Sequence, residues 1–120
     1  MKILIVDDSR GMRMMIRRAI RQAGYEDITF EDAGNGQEGL EKYASFAPDF
    51  ILSDWNMPGM DGITFLHNLK AQNPSVKFGF ITSQATAPMK QQAKESGALF
   101  LISKPFTPEN FTENLGPYIS

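Results

Sequence analysis

Asp7 and Asp8 follow the apolar run 3–6, Asp54 follows the run 50–52, Thr82 and Ser83 follow 76–81, and Lys104 follows 99–102. Each apolar run reads as a β-strand, so carboxylates, hydroxyls and an amine stand just past the ends of four separate strands. If those ends share one edge, three carboxylates gather there. Two unit charges about 4 Å apart repel by about 4 kcal/mol at an effective dielectric near 20, so the cluster needs positive charge. Lys104 supplies one, and a hard divalent cation supplies two more. Oxygen ligands point to Mg²⁺ rather than zinc.

Taken singly, these signals are ordinary. An aspartate pair after a strand often caps a helix, and Lys-Pro often makes a turn. Their joint appearance after four strands is what such roles explain poorly. The lone histidine, His67, has no cysteine or second histidine beside it and reads as a solvated helix residue. Asp61 reads as the cap of the helix that follows it.

The elements that must position these groups alternate along the chain. Strand candidates lie at 3–6, 28–30, 50–52, 76–81 and 99–102, and helical periodicity occupies 10–23, 37–46, 62–71, 89–96 and 108–115. Strict alternation with short connections implies right-handed βαβ crossovers and a parallel sheet covered on both faces, an α/β class. In such sheets the functional crevice lies at the carboxyl ends of the strands. Gly34 and Gly36 are expected in a turn, and Gly116-Pro117 should stop the last helix early.

At 120 residues, 42% hydrophobic, with a net charge of −2 and no cysteine, the sequence suits one compact domain over 1–120 in a reducing cytoplasm. No apolar run is long enough to span a bilayer, and no general basicity favours nucleic acid. The one basic segment carries Arg10, Arg13, Arg17, Arg18 and Arg21 beside Met12, Ile16, Ala19 and Ile20, and reads as the solvated face of an amphipathic helix.

Asp54-Trp55-Asn56-Met57-Pro58 with Met60-Asp61-Gly62, preceded by Asp7-Asp8 and followed by Thr82 and Lys104-Pro105-Phe106, resembles the response-regulator receiver family over essentially the whole chain. The resemblance implies a doubly wound, flavodoxin-like sheet of order 2-1-3-4-5. It implies that Asp54 accepts a phosphoryl group from a histidine kinase, with Lys104 and Thr82 contacting the phosphoryl oxygens. It further implies Mg²⁺ held directly by Asp8, Asp54 and the Asn56 backbone carbonyl, and by Asp7 through water. The chain would then be a stand-alone two-component regulator, in chemotaxis, that catalyses only its own phosphorylation and dephosphorylation. Its partners would be the kinase and a flagellar motor switch protein or a phosphatase.

The sequence departs from the family at Leu101, where a tyrosine or phenylalanine switch residue is usual; the ring stands instead at Phe100. Strand alternation points these two side chains to opposite faces. A phosphate sink or phosphorelay intermediate that does not bind the motor is therefore the alternative. A flavin carrier is disfavoured because Asp7-Asp8-Ser9 would repel a flavin phosphate where a phosphate loop is needed. A phosphatase acting on external substrates would need a cap segment that the chain lacks room for.

Overall fold

The computed structural model describes residues 1–119. The elements run β1 (Lys2–Val6), α1 (Arg10–Gln22), β2 (Thr29–Ala33), α2 (Gly36–Phe46), β3 (Phe50–Ser53), α3 (Gly62–Gln72), β4 (Phe78–Thr82), α4 (Ala87–Glu95), β5 (Phe100–Ser103) and α5 (Pro108–Asn114), followed by a 3₁₀ turn over Gly116–Tyr118. All strand pairs are parallel, in the order β2-β1-β3-β4-β5. This is the expected doubly wound sheet.

Period-two alternation divides the core. Leu4, Val6, Ile51, Phe78 and Phe80 face Phe65, Leu66 and Leu69 of α3, whereas Ile3, Ile5, Phe50, Leu52, Ile81 and Ile102 face Ile16 and Ile20 of α1 and Phe111 of α5. Burying each such side chain contributes about 1.5–3 kcal/mol, which fixes the strand register and hence which residues emerge at the carboxyl edge.

Several expectations need correction. β4 begins at Phe78 rather than 76 and takes in Thr82, because Val76 N turns back to Asn73 O. β2 does not end at Phe30 but continues through Glu31 and Asp32 to Ala33, because both acids have partners: Lys42 lies 3.2 Å from Glu31, and Arg13 and Arg17 reach Asp32. Gly36 is not in the turn; it opens α2, with the Asn35 side chain accepting from Glu38 N at 2.8 Å. α4 begins two residues earlier than its apolar pattern, at Ala87, because Thr86 caps it and Pro88 suits the first turn. The early stop of α5 is as expected.

Candidate functional site

Register delivers the site. Ile3 pairs with Phe50 and Val6 with Ser53, so the next residues, Asp7 and Asp54, leave the sheet side by side. The ladder extends one step beyond the strands: Asp54 N donates to Val6 O at 2.9 Å, Asp7 N to Ala33 O at 3.1 Å, and Lys104 N to Thr82 O at 2.8 Å. Asp7, Asp54, Thr82 and Lys104 therefore meet at one edge.

Carboxylate oxygens of Asp7, Asp8 and Asp54 lie within 4.8 Å of one another. Asp7 is buried and Asp8 exposed at the rim, while the Asp54 side chain is 12% exposed. Lys104 Nζ lies 2.9 Å from Asp7 Oδ2 and 3.4 Å from Asp54 Oδ2. Burial pushes the Asp54 carboxyl above its ordinary value; the Lys104 charge opposes this, Asp7 adds to it, and the Trp55 N–H, donating at 2.7 Å, lowers it again.

The acids are not acting as helix caps. α1 is capped by Ser9, whose hydroxyl accepts from Met12 N at 3.2 Å, while Asp7 Oδ1 receives Ser9 N at 2.9 Å. Asp61 does cap α3, accepting from Thr64 N at 2.8 Å, and stays outside the cluster as expected. His67 is exposed, with Nε2 3.3 Å from Ser96 Oγ.

Thr82 is fully buried, and its hydroxyl accepts from Gln84 N at 3.3 Å. Ser83 is exposed and lines, with Met12, Met15, Lys104, Pro105 and Phe106, an open groove of about 470 Å³ beside the cluster. Asn56 follows Trp55 in the loop after β3; its side-chain amide donates to Gln84 Oε1 at 3.2 Å, linking the loops after β3 and β4. Gly62 lets α3 begin against that loop: a Cβ there would lie 2.5 Å from the Asp54 carbonyl oxygen.

An all-oxygen donor set of three aspartates, with neither thiolate nor imidazole in it, suits a hard divalent cation such as Mg²⁺ and is a poor zinc site. Sequence reasoning missed the contributions of three residues: Gln84, Arg13 and Asp32. The arginine segment is not merely a solvated face. Arg13 and Arg17 turn inward to Asp32, and Arg13 Nη1 also donates to the Asp7 carbonyl at 2.6 Å. Only the inward neighbours Ile16 and Ile20, three residues on from each, signalled that direction.

On β5, Leu101 packs with the α3-side core, while Phe100 lies on the opposite face, stacked on Phe50 with ring centroids 5.7 Å apart. Gly79, its partner on β4, makes room: a Cβ there would sit 2.3 Å from the Phe100 ring. The position three residues before Lys104 thus carries no ring, and the neighbouring ring lies on the opposite face.

Residues 3–116 match the family model described as the response regulator receiver domain. The chain is 35% identical over 118 residues to sporulation initiation phosphotransferase F of Bacillus subtilis, covering 98% of this chain and 93% of that protein. It is 37% identical over 114 residues to the chemotaxis protein CheY of Thermotoga maritima, covering 95% and 93%. The solved structure of the Vibrio cholerae chemotaxis protein CheY4 superposes with a TM-score of 0.84 at 35% identity, covering 97% of this chain and 96% of that one. Sequence and fold thus agree along nearly the full length, and the chain belongs to the response regulator receiver domain family.

Proposed function

We propose that the chain accepts a phosphoryl group on Asp54 from a phosphohistidine of a partner kinase and signals through the change this makes at the site. The observation that carries the reading is Lys104, placed between Asp7 and Asp54 where three carboxylates converge. In the transfer, an Asp54 carboxylate oxygen bonds to phosphorus as the donor's P–N bond breaks, and the departing imidazole takes up a proton. The protein's task is to position the donor and neutralise charge on the equatorial oxygens. Lys104 and Thr82, which stand at adjacent strand ends, would contact those oxygens.

Asp8, Asp54 and the Asn56 carbonyl would hold Mg²⁺, with Asp7 engaged through water because Lys104 and Ser9 N already occupy its oxygens. When bound, the ion supplies positive charge to the transferring group. The chain acts on itself alone, without turnover of external phosphate esters, and the cytoplasm is its place of work. Incubation with a small acyl-phosphate donor tests the reading: one base-labile phosphoryl adduct is expected with Mg²⁺, and incorporation with the ion chelated contradicts the metal requirement.

For the output, the names of the relatives support two readings, a chemotaxis regulator that binds a flagellar motor switch protein and a relay intermediate. Leu101 in place of the ring favours the relay or phosphate-sink reading. Capture by a motor-switch peptide separates them: phosphorylation-enhanced capture supports the motor regulator, and indifference supports the relay. A phosphatase partner would be detected by accelerated loss of the adduct.

A further inference from the structure

Asp32 sits on the edge strand β2, one strand away from the acidic cluster, and two arginines of α1 reach across to it. Arg17 Nη2 lies 2.6 Å from Asp32 Oδ1 and Arg13 Nε 3.4 Å from Asp32 Oδ2. The same Arg13 guanidinium donates through Nη1 to the Asp7 carbonyl at 2.6 Å. Its side chain is 15% exposed and that of Asp32 31%, so these contacts are partly screened from bulk water. Arg17 is steadied in turn by the face of Phe30, 5.3 Å from its guanidinium carbon.

We infer that Arg13 is a positioning residue of the acidic site: by tying the Asp7 carbonyl to Asp32, it sets the backbone at the β1–α1 junction and with it the direction in which Asp7 and Asp8 face Asp54. The inference rests on the reading of the three carboxylates as a Mg²⁺ site.

β1 ends at Val6, so the Asp7 carbonyl lies beyond the regular strand ladder and needs a donor from elsewhere. A planar guanidinium serves a carbonyl and a carboxylate at once from a fixed fork; a lysine ammonium has no such fork. Partners that orient ligands without touching the ion commonly matter 10–100-fold in metal affinity.

Charge and position predict opposite signs. If Arg13 acted only as a nearby cation, deleting it would relieve repulsion and tighten Mg²⁺; if it positions the ligands, deleting it weakens Mg²⁺. Arg18, an exposed arginine of the same helix, provides the control because Arg18→Gln removes the same charge without touching Asp7 or Asp32.

The experiment is calorimetric titration of the full chain with Mg²⁺, for wild type, Arg13→Gln, Arg13→Lys, Asp32→Asn and Arg18→Gln, each below its measured unfolding midpoint. Arg13→Gln is expected to bind about tenfold more weakly, Arg13→Lys to recover part of the loss, Asp32→Asn to fall in the same direction, and Arg18→Gln to match wild type or bind slightly tighter. Equal or tighter binding by folded Arg13→Gln overturns the inference. Should that variant not fold, unchanged affinity in Asp32→Asn overturns it instead. A wild type that binds no Mg²⁺ defeats the underlying metal-site reading, an outcome distinct from variants that match a binding-competent wild type.

Discussion

Lys104 lies closer to Asp7 than to Asp54, 2.9 Å against 3.4 Å, so the amine just past β5 is held first by the buried carboxylate just past β1 and only then faces the proposed phosphoacceptor. Breaking a buried pair by deleting one partner strands the other charge, at about 3–5 kcal/mol. Lys104→Ala is therefore expected to lose about 3 kcal/mol in Mg²⁺-free buffer, and to regain part of it when Mg²⁺ replaces the missing charge. Mg²⁺ affinity in this variant should equal or exceed wild type, because the lysine and the ion compete for the same acids. Chemical denaturation with and without Mg²⁺ checks both; markedly weaker Mg²⁺ binding contradicts the charge argument.

Asp54 gives a prediction in pH. Its carboxyl is raised chiefly by burial, so the folded state holds the proton more tightly than the unfolded chain, whose value is near 3.8. Ionising Asp54 thus costs stability as pH climbs from there through the folded value, and the full cost persists above it. Without Mg²⁺, Asp54→Asn should unfold at a higher temperature than wild type at pH 7, and the advantage should vanish below about pH 4. A less stable asparagine variant at neutral pH would mean that burial is not the dominant influence.

The relocated ring on β5 predicts a coupling. Gly79→Ala drives a methyl into the Phe100 ring, and overpacking of this kind costs about 1–3 kcal/mol. Replacing Phe100 by leucine in the same chain should recover part of the loss, so the two substitutions will be non-additive. Additive losses in denaturant unfolding would show that the ring is free to move aside.

Trp55 is 8% exposed, lies 4.6 Å from the Phe80 ring and donates its backbone N–H to Asp54. Its burial makes it a local reporter. Adding Mg²⁺ should change its fluorescence saturably, and Asp8→Ala should shift the midpoint to much higher concentration. Calorimetry showing equal affinity in the two proteins rules out Asp8 as a ligand.

The convergence of Asp7, Asp54, Thr82 and Lys104 was readable from sequence because parallel strands all present their carboxyl ends to one edge. Phe100 and Leu101 were likewise readable as opposed, since alternation has a period of two. The Asp32 clamp was not. An edge strand whose polar residues are satisfied by partners from α1 and α2 looks like a loop when only its apolar residues are counted. Gly36 was misread for a related reason: glycine marks turns and close approaches alike, and here a Cβ would lie 2.8 Å from Met60 Sδ.

The central claim is that Asp54 is the phosphoacceptor, and intact mass measurement after incubation with a small phosphodonor and Mg²⁺ tests it most directly. Wild type should gain one phosphoryl group, stable in acid and lost in base, and folded Asp54→Ala should gain none. An adduct of equal yield in Asp54→Ala would place the chemistry elsewhere and contradict the account.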